Sequence, residues 1–299
     1  MCGIVGVVGN SNAVDILIQG LEKLEYRGYD SAGIYVTDAP DKGCLVKSVG
    51  RIADLRAKIS SDVKGSTGIG HTRWATHGQA TEDNAHPHTS ETGRFVLVHN
   101  GVIENYLQIK EEYLQGHKFK GQTDTEIAVH LIGKFVDEDG LSVLEALKKS
   151  LHIIQGSYAF ALVDSQAPDT IYVAKNKSPL LIGVGEGYNM VCSDAMAMIR
   201  ETSQFMEIHD KELVVLTKDA ITVTDYEGNA IERGTYTAEL DLSDIGKGTY
   251  PYYMLKEIDE QPTVMRKLIS TYADDEGNIT VDPAIVKSVQ EADRIYILA

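Results

Sequence analysis

Cys2-Gly3-Ile4-Val5-Gly6-Val7-Val8, an apolar run headed by a thiol, begins one residue into the chain. Removal of Met1 would leave the thiol and a free α-amino group on the same residue, and cysteine is small enough to permit that removal. A thiol titrates near 8.5 and is a modest nucleophile at neutral pH. An α-amino group titrates near 7.7–8.0, where it can accept and return a proton during acyl transfer. The same residues also suit an inert cysteine at the start of a buried strand. The remainder of the sequence decides between these readings.

The chain has 299 residues, more than one ordinary domain, so one full domain plus a piece of a second is expected. Its formal net charge of −16 argues against nucleic-acid and anionic-membrane partners. Cys2, Cys44 and Cys192 are odd in number and lack metal-type spacing, which fits a reducing cytoplasm better than a disulfide scaffold. Asn10, Asn12 and Asp15 interrupt the first apolar run, so neither a signal peptide nor a transmembrane segment is read.

Ile16, Leu17, Gly20, Leu21 and Leu24 recur at the helical period after a cap at Ser11 or Asn12. Thr123-Asp124-Thr125-Glu126 has capping-box spacing ahead of Ile127, Ala128, Leu131, Ile132 and Phe135, and a third helix is predicted over about 142–154. Strand-like runs at 33–37, 44–49, 67–73, 94–99, 157–164, 170–174, 180–184, 190–192, 213–216 and 221–224 point to two sheets with helices outside. Gly183-Val184-Gly185-Glu186-Gly187 opens no helix and reads as a turn, not as a dinucleotide fingerprint.

Three further clusters bear on chemistry. In His71-Thr72-Arg73-Trp74-Ala75-Thr76-His77-Gly78, the planar fork of Arg73 suits a carboxylate and Trp74 could cover a small substrate. A surface salt bridge and a core tryptophan would account for the same pair. In Val98-His99-Asn100-Gly101, the Asn100 amide and the Gly101 N–H could face a developing oxyanion. Asn-Gly is equally a strong turn signal. In Gln122-Thr123-Asp124, the carboxylate at a helix start could meet an ammonium, or simply cap the helix. His71, His77, His86, His88 and His99 invite a metal, but none forms a His-x-x-x-His pair and no cysteine adjoins them, so no metal is assigned.

Taken together, Cys2 to Gly6, Glu25-Tyr26-Arg27-Gly28-Tyr29-Asp30-Ser31-Ala32-Gly33, His71 to Gly78, Asn84-Ala85-His86-Pro87-His88, His99 to Asn105 and Thr123 to Glu126 resemble the glutaminase domain of the glutamine–fructose-6-phosphate aminotransferase (isomerizing) family. The likeness spans roughly residues 2–240, with the motifs in the family's order. It implies an α+β fold, the four-layer αββα sandwich of N-terminal-nucleophile hydrolases, with L-glutamine as substrate, no cofactor, and ammonia passed to a sugar phosphate. It implies that Cys2 is nucleophile and base, that Asn100 and Gly101 form the oxyanion hole, and that Arg73 and Asp124 hold the α-carboxylate and α-ammonium of glutamine. Thr76, His77 and His86 match positions lining or supporting the pocket, Trp74 matches a gate on the ammonia route, and residues 27–30 match a segment near the glutamine site. Asparagine synthetase and the phosphoribosyl-pyrophosphate enzyme would share Cys2 and the Asn-Gly pair. The run from Arg73 to Gly78 and the tail favour the aminosugar family. A non-catalytic fragment that recognises glutamine without turnover is the other class left open.

Residues 241–251 read as a linker around Gly246-Lys247-Gly248, and 252–299 as the truncated start of an α/β sugar-phosphate isomerase domain. There Tyr252 to Pro262 is predicted helical, the apolar run 264–269 follows it, and Arg294 to Ala299 is strand-like. Fructose 6-phosphate would bind only through the remainder of that domain, and the family likeness implies a homodimer for the full-length protein.

Overall fold

The computed structural model describes residues 2–75, 78–238, 250, 253–274, 278 and 280–295. The chain divides into two compact units, residues 1–245 and 246–299. Unit 1 carries strands β1 (Gly3–Val8), β2 (Ser31–Thr37), β3 (Cys44–Val49), β4 (Thr67–Arg73), β5 (His88–Thr89), β6 (Phe95–Ile103), β7 (Gly156–Asp164), β8 (Ile171–Asn176), β9 (Leu181–Val184), β10 (Asn189–Cys192), β11 (Gln204–Glu207), β12 (Glu212–Leu216), β13 (Ile221–Asp225) and β14 (Tyr236–Thr237). Its helices are α1 (Ala13–Leu24), α2 (Ile52–Lys58), α3 (Tyr106–Tyr113), α4 (Asp124–Asp137) and α5 (Val143–Ile153), with 3-10 turns at Glu25–Arg27 and Ala195–Ala197.

The strands form an eight-stranded sheet, β14-β11-β9-β10-β1-β4-β2-β3, and a six-stranded sheet, β13-β12-β8-β7-β6-β5. Neighbouring strands run antiparallel in both. β1 is central in the first sheet, and its side chains alternate between two cores, as the period of a strand requires. Val5 and Val7 pack with Ile16, Leu17 and Leu21 of α1, whereas Ile4 and Val8 meet Val96, Val98, Ala159 and Ala161 of the second sheet. β6 alternates likewise: Phe95 and Leu97 pack with Ile127, Leu131, Ile132 and Phe135 of α4 and with Leu147 of α5. Helices, sheet, sheet and helices therefore form four layers around three apolar clusters, in which each buried Val, Leu, Ile or Phe contributes about 1.5–3 kcal/mol. The αββα expectation holds.

Local chemistry sets the helix starts. The Thr123 hydroxyl accepts the Glu126 N–H at 3.2 Å, but the Glu126 carboxylate turns away to the backbone N–H groups of Lys120 and Gly121, both at 2.8 Å, so only half of the expected box forms. Ser142 and Glu145 complete a reciprocal box on α5. Asn12 stands at the N-cap of α1 without a side-chain cap bond.

The strand expected over 94–99 runs on through Asn100-Gly101 to Ile103, so the turn reading of that dipeptide is overturned. Tertiary pairing wins over local turn preference, because β7 lies alongside β6 and pairs Gly101 with Tyr158. α2, α3, β5, β11 and β14 were not foreseen. Gly183 and Val184 belong to β9, and the turn begins only at Gly185, whose N–H reaches Tyr188 O at 3.1 Å.

Unit 2 holds α6 (Tyr253–Tyr272) and α7 (Pro283–Glu291). α6 passes through Pro262 without a break. Leu255, Ile258 and Ile269 on it are exposed. Residues 239–249 and 296–299, which hold most of the expected linker and the end of the expected strand, lie outside the described residues. Among the described residues, no helix is long and apolar enough to cross a membrane.

Candidate active site

β1 pairs with β4 so that Gly3 lies opposite Thr72. Cys2 thereby meets the end of β4, where its Sγ accepts the Trp74 N–H at 3.2 Å and lies 3.5 Å from Trp74 O. β6 brings Asn100 and Gly101 to the same end of the sandwich, and the first turn of α4 brings Asp124. Cys2, Arg73, Trp74, His86, Asn100, Gly101 and Asp124 all line one cavity of about 290 Å³. Thr76 and His77 lie outside the described residues. Arg27, Thr125 and Ser178 also line the cavity, with no role assigned to them from sequence.

Asn100 is held at both ends of its amide. Its Nδ2 donates to the Cys2 carbonyl at 3.1 Å, and its Oδ1 lies 2.9 Å from Nε2 of His71, which also lies 3.1 Å from the carbonyl oxygen of His99. Both partners of that ring nitrogen are acceptors, so Nε2 carries the proton. Burial keeps the imidazole neutral by lowering its pKa to about 3. A proton fixed there excludes the flipped amide, and the second N–H of Asn100 remains for a ligand. Gly101 has φ +137°, and a Cβ there would stand 2.1 Å from the Ser157 carbonyl oxygen, so only glycine suits the position.

Behind this face His71 and His86 form a neutral stacked pair. The His86 ring lies 4.1 Å from that of His71 and accepts the His99 N–H on Nδ1 at 3.3 Å. Burial, with His71, His88, His99 and Arg73 nearby, holds the pKa of His86 well below the usual range. The Thr125 hydroxyl joins the layers, 2.9 Å from His99 Nδ1 and 3.4 Å from His86 Nε2. The carboxylate of Asp124 accepts the N–H groups of Ile103 at 2.8 Å and Thr125 at 3.0 Å, which fixes an anion at a helix N-terminus inside the cavity.

Arg73 is 3% exposed, so it is no surface ion pair. Its guanidinium donates to the carbonyls of Gln79 and Gly78, each at 3.3 Å, and lies 3.7 Å from Asp30. Asp30 in turn accepts the Ala75 N–H and the Ser31 hydroxyl, bracing the loop after β4. Trp74 is 47% exposed and meets Tyr29 edge-on at 5.3 Å, so it is not a core residue. Arg27 is tied to Asp194 at 2.6 Å. Burial pushes the Cys2 thiol pKa up, an effect that the Trp74 N–H partly offsets. The thiol therefore needs a base.

Residues 71–201 match the family described as glutamine amidotransferase domain. The whole chain is 84% identical to glutamine–fructose-6-phosphate aminotransferase [isomerizing] of Streptococcus mutans, 83% to that of Streptococcus pyogenes serotype M1 and 79% to that of Streptococcus pneumoniae strain R6. A glutamine amidotransferase domain is therefore matched within unit 1. It spans about half the length of these curated relatives, 49% in each case. Among solved structures, the chain is similar to the glutamine phosphoribosylpyrophosphate amidotransferase of Bacillus subtilis complexed with ADP and GMP. That likeness has a TM-score of 0.66 at 29% identity and covers 77% of this chain and 50% of the other. The sandwich is thus of the N-terminal-nucleophile hydrolase type.

His71, Thr125 and the Arg27–Asp194 pair take their places through contacts that no local sequence signal announces. His71 was visible within its motif, but nothing local signals a hydrogen bond to a residue 29 positions away.

Proposed function

We propose that unit 1 hydrolyses L-glutamine to glutamate and ammonia once Met1 has been removed. The observation that carries this is the convergence of the Cys2 thiol, the oriented Asn100 amide and Gly101 on the cavity that Arg73 and Asp124 also line. The freed α-amine of Cys2 takes the thiol proton, and Sγ attacks the amide carbon of glutamine. The oxyanion is met by the Asn100 N–H and the Gly101 N–H. On collapse the C–N bond breaks, the ammonium form of the α-amine returns its proton to the leaving nitrogen, and a γ-glutamyl thioester remains. Water, deprotonated by the same amine, then releases glutamate and the thiol.

Arg73 holds the α-carboxylate and Asp124 the α-ammonium. Thr76, His77 and His86 line or support the pocket, and Trp74 gates the route by which ammonia leaves. In the whole protein the ammonia converts fructose 6-phosphate to glucosamine 6-phosphate at an isomerase domain that residues 252–299 begin, in a cytoplasmic homodimer. The identity with the streptococcal enzymes supports this reading.

Arg73→Ala and Asp124→Asn test recognition. Each removes a charged contact present in both ground and transition states, worth about 1.5–3 kcal/mol, so the glutamine KM should rise roughly 10- to 150-fold while kcat changes less. An unchanged KM in Arg73→Ala would remove its assigned role.

A further inference from the structure

We propose that Glu91, His117 and His130 bind one divalent transition-metal ion of the zinc class, at a site separate from the glutaminase cavity. The three residues come from three elements: the turn between β5 and β6, the turn that follows α3, and the middle of α4. Each offers one ligand atom, and these atoms lie within 4.8 Å of one another. None of the three lines the cavity that holds Cys2.

The arrangement around His117 is the main argument. Its Nε2 lies 3.1 Å from Glu138 Oε1, the outer carboxylate–imidazole contact that fixes a metal-binding tautomer by keeping the proton on the far nitrogen. Its Nδ1 lies 2.9 Å from Glu91 Oε2 yet forms no hydrogen bond. Two potential ligand atoms thus already stand side by side, as a shared ion requires. Glu91 is itself oriented, because its other oxygen accepts the Lys118 N–H at 3.2 Å.

His130 supplies the third ligand and an independent sign of one. It is 2% exposed, and its Nδ1 is buried with no hydrogen-bond partner among the described residues. Its ring stacks on Phe119 at 4.6 Å. Two imidazoles and a carboxylate make a three-ligand set for Zn²⁺, with water at the fourth position. Zinc ligands bound at about 2.0–2.2 Å stand roughly 3.4 Å apart in a tetrahedron, so side-chain shifts of about 1 Å would close the set. Such an ion would pin the turns before β6 and after α3 to α4. The sequence hides the site because 91, 117 and 130 follow no metal-ligand spacing.

Calorimetric titration of the 299-residue chain with Zn²⁺ tests the site, with Glu91→Gln, His117→Gln and Glu138→Gln as variants and the thermal midpoint as second readout. Glu91 and Glu138 are exposed, so their variants are expected to fold. The expected result is one ion per chain at micromolar affinity or tighter and a zinc-dependent rise in midpoint. Affinity should fall at least tenfold in Glu91→Gln and His117→Gln, and on the order of 10- to 100-fold in Glu138→Gln. Lack of binding at 100-fold molar excess of zinc would overturn the proposal. So would binding that all three variants retain unchanged, which would place the ion elsewhere, for example on the thiol of Cys2.

Discussion

Asn100 can present either end of its amide to the Cys2 carbonyl, and His71 decides which. Because the His71 Nε2 proton is claimed by two acceptors, the Asn100 oxygen must face the ring and the NH2 must face Cys2. Two variants separate the donor from its anchor. Asn100→Ala removes a preorganised oxyanion donor, so kcat for glutamine hydrolysis should fall about 10²- to 10³-fold. His71→Ala leaves the amide in place but unanchored, and kcat should fall up to roughly tenfold with KM little changed, the scale of one neutral hydrogen bond. His71→Gln, whose side-chain N–H can donate to the same oxygen, should restore most of that loss. A His71→Ala protein that folds normally and keeps full kcat would show that the amide needs no anchor.

Gly101 carries the same logic at the scale of an element. It sits within β6, at φ +137°, with β7 so close that an added Cβ would strike the Ser157 carbonyl. Gly101→Ala should therefore cost roughly 1–3 kcal/mol of backbone strain, with the steric contact in addition. Gly93, at φ +79° in the turn before β6, has nothing within 4 Å of an added Cβ. Gly93→Ala should cost about 1–2 kcal/mol for its left-handed backbone alone. Thermal midpoints of the two variants decide the matter, and equal losses would mean that β6 and β7 are not so tightly apposed. The contrast also shows what a sequence can reveal. α1, α4 and α5 were legible because their apolar period, and at α4 and α5 also their caps, lie within one window. β5 and β14 have two residues each, too few for a period to register. Asn-Gly read equally well as a turn, because the neighbour that straightens it comes from residues 156–164. Of the cavity lining, Cys2, Asn100, Arg73 and Asp124 are legible by residue type and position. Thr125, and the Arg27–Asp194 pair that spans 167 positions, depend on the packing of distant segments and left no local trace.

Across the whole molecule, the buried histidines make stability depend on pH. Unfolded imidazoles titrate near 6.5, whereas burial lowers His71 to about 3 and holds His86 and His88 well below the usual range. Below about pH 6.5 the unfolded chain binds protons that the folded chain refuses. The contribution of these groups is thus complete above that pH and is lost as the pH falls toward the folded values, at about 1.4 kcal/mol per pH unit for each histidine. Relief of repulsion within a chain of net charge −16 acts in the opposite direction, but salt near 0.15 M screens it. The thermal midpoint should accordingly fall steeply between pH 7 and 5, and a flat profile would mean that these rings accept protons in the folded state. The central claim, that an unblocked Cys2 is the nucleophile, is tested most directly by glutamate release from the full chain and from Cys2→Ala, with intact mass spectrometry of each sample to read whether Met1 is present. Hydrolysis is expected from the methionine-free chain, at least about 10³-fold less from Cys2→Ala, and none above that residual level from chain that keeps Met1. Near-native hydrolysis by Cys2→Ala, or by protein whose mass shows Met1 in place, would contradict it.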